Sequence, residues 1–176
     1  MKKLLFILSL LPLLASAAGS SAILFNARYN SFNKTVLDTP FDEDFSYGLS
    51  YAVYDGAGYL EFGVNYAPDS SIEVLDNPGV EAIDDVWTPF VRLVMEDQFV
   101  AIGIGLRENY ISFADESYGD SGWSDLLYEL YAGLEIPLGG FTLGGGVYYT
   151  FDDWGDAFSD FKSDYLDYGV HFGFRF

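Results

Sequence analysis

The sequence predicts an all-β chain: an antiparallel up-and-down transmembrane β-barrel of about eight strands, preceded by a cleaved signal peptide. Three observations carry this expectation. The N-terminus is built like an export signal, apolar residues recur at every second position over strand-length runs, and glycines and arginines share one face of those runs while aromatics take the other.

The export signal comes first. Lys2 and Lys3 form a positive start, Leu4 to Leu14 an apolar stretch broken by Pro12, and Ala15-Ser16-Ala17 a small-residue cleavage site, with Ala18 as an alternative. The apolar stretch is short for a bilayer span, so cleavage is expected to leave a single barrel domain over 18–176. No cysteine is present, which removes both disulfides and a lipoprotein anchor. Loss of Lys2 and Lys3 leaves six basic residues against 27 acids, a balance that opposes nucleic-acid binding. No later apolar run is long enough for a transmembrane helix.

Each strand is then read from its alternation. Phe45, Tyr47, Leu49, Tyr51 and Val53 line one face of Phe45–Tyr54, against Ser46, Gly48, Ser50 and Ala52. Leu166–Phe176 sustains the same pattern to the last residue. Six further strands are expected near Ala22–Ser31, Tyr59–Tyr66, Trp87–Met95, Phe99–Arg107, Leu126–Ile136 and Phe141–Phe151. Their connections alternate. Asp55-Gly56-Ala57-Gly58, Glu96-Asp97-Gln98 and Pro137-Leu138-Gly139-Gly140 are tight turns, whereas about 32–44, 67–86, 108–125 and 152–164 are long and polar. Both termini fall at the short-turn end.

Alternation alone does not say which face is inside. The polar face carries Gly48, Gly63, Gly103, Gly105, Gly133, Gly144, Gly146, Gly169 and Gly173. Glycine weakens a strand and packs nothing against water, but a narrow barrel lumen has room for little else. With parity set by the aromatics, Arg28, Arg92, Arg107 and Arg175 all point inward, as do Glu61, Glu129, Glu135 and Asp167. A lipid-facing Arg near the bilayer midplane costs about 2–4 kcal/mol, so this sorting is what a membrane would impose. Glu108 breaks the pattern at the point where strand becomes loop. Tyr29, Phe45, Tyr47, Tyr66, Trp87, Tyr149, Phe151 and Tyr168 gather near the long-loop ends, as an interfacial girdle would.

With its signal segment, its hairpin rhythm and its ending Tyr168-x-Val170-x-Phe172-x-Phe174-x-Phe176, the chain resembles the small eight-stranded outer-membrane barrels of the OmpA, OmpX and OmpW type. The resemblance implies secretion to a Gram-negative outer membrane and contact with its lipid and lipopolysaccharide. It further implies that Tyr168, Val170, Phe172, Phe174 and Phe176 are an assembly signal for the outer-membrane insertion machinery. With the sequence ending at Phe176, the peptidoglycan-binding domain that OmpA-type proteins append is not expected.

Candidate functional residues follow from the inward face. Arg28, Glu61, Arg92, Arg107, Glu129, Glu135, Asp167, His171 and Arg175 are expected to form a lumen charge network, because an unpaired buried charge is costly. Such a network would plug the barrel; a charged constriction in a narrow channel is the alternative. His171, the one histidine, reads as a polar filler rather than a catalytic base. Asp167 and Arg175 lie four residues away, about 13 Å along a strand, and no His-x-Ser pair is present. No cofactor is implied. Asp152, Asp153, Asp156 and Asp160 are weak candidates for a divalent cation, although no regular calcium-loop spacing occurs. Trp123, Tyr118, Trp154 and Phe158 could present a recognition patch within acidic loops. A structural or surface-interaction role is therefore expected first, a narrow solute channel second and a lipid-modifying enzyme last.

Overall fold

The computed structural model describes residues 20–31, 44–68, 73–74, 77–81, 83–115, 120–155, 157, 161 and 166–176. The signal segment and its cleavage site lie outside the described residues, as do Tyr118, Asp156, Phe158 and Asp160.

Twelve strands are present among them: β1 (Ser20–Asn30), β2 (Asp44–Tyr54), β3 (Gly58–Pro68), β4 (Glu73–Val74), β5 (Asn77–Glu81), β6 (Ile83–Asp97), β7 (Val100–Arg107), β8 (Tyr110–Phe113), β9 (Gly122–Trp123), β10 (Leu127–Leu138), β11 (Phe141–Phe151) and β12 (Leu166–Arg175). Eight of these close a barrel in the order β1-β2-β3-β6-β7-β10-β11-β12, every neighbour antiparallel. The last seam joins the two ends of the chain. Ala22 pairs with Arg175, and Ser21 and Phe176 exchange two backbone hydrogen bonds of 2.8 Å each. Closure leaves the barrel without an edge strand, the one way a sheet satisfies all its backbone groups internally.

The tight turns use local chemistry. Gly56 and Gly139 adopt φ of 92° and 71°, a region a side chain would strain, and the Asp55 carboxylate accepts from the Ala57 N–H at 3.2 Å. At these turns β3, β6 and β10 run one or two residues further than the alternation predicts and β7 starts one residue later, at Val100 instead of Phe99, so that Gln98-Phe99 and Gly139-Gly140 alone reverse the chain.

Two of the stretches expected to be polar loops contain further structure. β6 begins at Ile83 rather than Trp87, and above the barrel it pairs with β8, which in turn pairs with β9. The reason is a small core of Ala67, Ile83, Val86 and Ile111, with Phe113 against it. Neighbouring Asp84 and Asp85 obscure that core in a reading by composition. The pairs β6–β8 and β8–β9 thus form a tongue that rises past the rim, while β4 and β5 make a short separate hairpin.

The two faces differ as sharply as the strand pattern implies. Phe25, Leu49, Leu93, Met95, Ile102, Ile104, Leu134, Leu143, Val170 and Phe172 stand outward and exposed around the barrel. The inward rows are filled. Tyr54, Tyr59, Tyr131 and Tyr148 point inward, contrary to the rule that aromatics take the outer face, and pack with Ala22, Leu24, Ala52, Val94 and Ala101. Their parity agrees with Glu61, Glu129 and Gly146 on their own strands. Bulk inside is possible because glycines face it: a Cβ on Gly133 would lie 2.2 Å from the Tyr131 hydroxyl, and one on Gly169 2.9 Å from the Tyr148 ring.

Candidate functional site

The lumen holds two polar hubs, one above the other. The upper hub is Glu129 on β10. Its carboxylate accepts from Arg28 Nη1 on β1 and from Arg92 Nε and Nη2 on β6, at 3.0 and 2.8 Å, and Arg107 Nη1 on β7 lies 3.6 Å away. Arg28 also donates to Asp167 on β12, and Arg92 to Glu61 on β3 at 3.0 Å. Glu61 accepts from the Ser50 hydroxyl at 2.6 Å. Three guanidinium groups thus meet three carboxylates, and the contacts brace strands on opposite sides of the barrel. Tyr148 fills the space between, its ring 4.2 Å from the Arg28 guanidinium and 4.8 Å from that of Arg92.

The lower hub is Glu135, further down β10. Its carboxylate faces His171 Nε2 at 2.8 Å and accepts from the hydroxyls of Tyr59, Tyr131 and Thr142 at 3.1, 3.2 and 3.5 Å. These donors come from four strands. No guanidinium is among the partners just named, so hydroxyls and an imidazole supply the hydrogen bonds a buried carboxylate requires.

A glycine explains how each pair meets. In the strand register Arg92 pairs with Gly105, which pairs with Glu129, and Glu135 pairs with Gly144, which pairs with His171. The glycine leaves a gap one side chain wide, and the two longer residues flanking it reach over it. A Cβ on Gly144 would lie 2.3 Å from His171 Nε2 and 2.5 Å from Glu135 Oε2. The lumen glycines are therefore part of the network's geometry, beyond being small.

Not all nine inward residues are brought together. Arg28, Glu61, Arg92, Arg107, Glu129 and Asp167 form the upper hub; Glu135 and His171 form the lower. Arg175 does not reach either one. Its guanidinium stacks 3.9 Å over the Tyr54 ring at the short-turn mouth and donates to the Ser20 hydroxyl at 3.4 Å, because its strand position is level with Ala22, below both hubs. Sequence reading also missed Tyr59, Tyr131, Thr142 and Tyr148 as members. Their parity was the available signal, but bulky aromatic side chains were assigned to the outer face.

The loop acids give no comparable site. Asp152 and Asp153 are exposed, and the Asp153 carboxylate accepts from the Gly155 N–H at 2.6 Å within its own turn. Among the described residues no group of three or more His, Cys, Asp or Glu side chains could hold a metal ion. Glu108, just past the end of β7, is buried at the rim.

No protein-family model matches the chain, and no curated protein matches it by sequence. Solved structures match in fold, among them these two. Neisserial surface protein A (NspA) aligns over 89% of this chain and 97% of its own, with 13% identity and a TM-score of 0.55. The Yersinia pestis outer membrane protein Ail, solved in a phospholipid bilayer nanodisc, aligns over 90% and 99%, with 16% identity and a TM-score of 0.51. The chain has the fold of the small eight-stranded outer-membrane β-barrels.

Proposed function

We propose that the protein resides in a bacterial outer membrane as a closed barrel, and that its role is structural or one of surface interaction through the long loops. The exposed apolar rows supply the membrane argument: they encircle the barrel far beyond the few hundred Å² that a soluble monomer leaves bare. Both fold neighbours are surface or outer-membrane proteins by name, which supports the same placement.

The observation that carries the rest is the upper hub. Glu129 ties together Arg28 and Arg92 from strands well separated around the barrel, and Tyr148 and Tyr131 fill the cross-section beside it. A conducting path would have to pass a neutralised cluster whose hydrogen bonds are mutual. The lumen is thus a filled core that fixes strand register, and the acidic loops and the tongue remain as the surface offered to lipopolysaccharide, divalent cations or other partners.

Planar-bilayer recording of the refolded protein tests this reading. Wild type is expected to show no reproducible openings, and Arg92→Ala combined with Glu129→Ala to produce them. Regular openings in wild type would make the charged cluster a channel constriction instead.

A further inference from the structure

Large outward residues of β11 and β12 stand in the open: Leu143 is 44% exposed, Phe172 40% and Tyr168 49%. Tyr149 and Phe151 occupy the same outward row of β11, yet they are 8% and 7% exposed. The chain's own next segment covers them. Ala157 is fully buried against both, Trp154 packs edge-on to Phe151 with ring centroids 4.9 Å apart, and Phe161 meets Tyr149 at 5.1 Å. Trp154, Ala157 and Phe161, described residues that follow β11, therefore lie against the outer wall.

Its height can be placed. Tyr149 is eight residues up β11 from Phe141, about 27 Å of strand and about 20 Å of height at the usual barrel tilt, within a belt about 25 Å tall. The covered spot is one where lipid would otherwise touch the wall. A segment that merely shielded the wall from water would turn a polar back outward. This one exposes Trp154 at 44% and Phe161 at 49%, beside exposed Asp152 and Asp153. An aromatic surface edged with carboxylates suits the boundary between acyl chains and headgroups, where tryptophan concentrates.

We propose that Trp154, Ala157 and Phe161 form a flap seated in the outer leaflet, with Trp154 at the headgroup boundary and Phe161 against acyl chains. Its occupant is membrane lipid, because the flap continues the exposed apolar rows of β11 and β12. The flap places the carboxylates of Asp152 and Asp153 at headgroup level rather than holding them out to partners in solution. This inference rests on the membrane reading of the barrel.

The test uses the full mature chain carrying Trp87→Phe and Trp123→Phe, refolded into phosphatidylcholine vesicles brominated near either the carbonyl or the methyl end of the acyl chains. Trp154 emission is expected to be lost mainly to the shallow label and to be shielded from aqueous iodide. A control carries Leu93→Trp with all three native tryptophans changed to Phe, and must lose emission to the deep label. If the control is not quenched, the membrane reading fails. If the control is quenched while Trp154 ignores both labels and responds to iodide, the flap is overturned and the barrel stands. A second readout keeps every tryptophan. Asp152→Cys, in a chain with no other cysteine, bears a polarity-sensitive fluorophore; a water-like spectrum in vesicles overturns the flap, and a blue-shifted one supports it.

Discussion

Glu129→Gln is the sharpest perturbation of the lumen, because it preserves volume and removes one charge. Glu129 is nearly inaccessible, and it accepts from two guanidinium groups with a third nearby. With glutamine in its place, three guanidinium groups share two carboxylates, Glu61 and Asp167. The amide also turns a donor toward donors. Removing one partner of a buried ion pair costs about 3–5 kcal/mol, because the remaining charge stays desolvated. At about 1.4 kcal/mol per tenfold, the folding constant is expected to fall by about two to nearly four decades. The assay is reversible urea unfolding in vesicles, followed by tryptophan emission and by the gel mobility difference between folded and unfolded forms. The m-value should hold constant if the same surface is exposed on unfolding. A double-mutant cycle with Arg92→Met isolates the direct pair from the rest of the hub. A loss below about 1 kcal/mol, the size of a solvent-exposed bridge, would refute the reasoning. It would mean that water reaches Glu129 and that the lumen is not closed.

Three other perturbations test separate parts of the structure. Leu93→Arg places a charge on the outward row about five residues from the β6–β7 turn, near mid-belt, and should cost about 2–4 kcal/mol in vesicles; full stability in that unfolding assay would argue against lipid at this face. Gly144→Ala puts a Cβ within 2.5 Å of both Glu135 and His171, so the pair must part, at about 1–3 kcal/mol. Adding His171→Ala should recover part of that loss, and an additive result in the same titration would show that the glycine does not create the contact. Phe176→Ala keeps the backbone bonds to Ser21 but removes the terminal ring, which is 69% exposed. Folding into vesicles should be unchanged while membrane levels in cells fall; normal cellular levels on an immunoblot would argue against an assembly role for that residue.

The faces of the strands could be read from single residues, and the partnerships could not. Period-two parity put Arg28, Arg92, Glu129 and Glu135 inside because it needs only local sequence. Which carboxylate meets which guanidinium depends on register between distant strands: Arg28 and Glu129 are 101 residues apart. His171 shows the difference well. Its own strand offered only Asp167 and Arg175, too far along to touch, whereas its partner Glu135 arrives from two strands away over Gly144. The four lumen tyrosines were missed for a related reason. Aromaticity alone does not mark the lipid face: a phenol fits inside where glycines leave room and a carboxylate accepts its hydroxyl, as Glu135 does for Tyr59 and Tyr131, or where a guanidinium packs on its ring, as for Tyr54 and Tyr148. The tongue is hidden by the charges of Asp84 and Asp85 and by a register shift between Ile83 and Asp85, which buries Ile83 and Val86 together although they lie three positions apart and no period-two pattern links them.

The same glycine rule bears on what the barrel can do. A lumen lined by small residues alone would be a pore, and one lined by bulky residues alone could not close at eight strands. Here small residues sit between bulky ones at several seams, with Gly105 between Arg92 and Glu129 and Gly173 between Leu24 and Thr142. Each gap is occupied by the side chains beside it, so the interior is specified residue by residue in the way a soluble core is. Residues committed to such packing have little freedom to bind or release a solute. The surface left for contacts lies beyond the rim, in the tongue that β6 and β8 raise. The tongue stands up while Trp154, Ala157 and Phe161 lie on the wall, so the two would meet different surroundings, one solution and the other lipid.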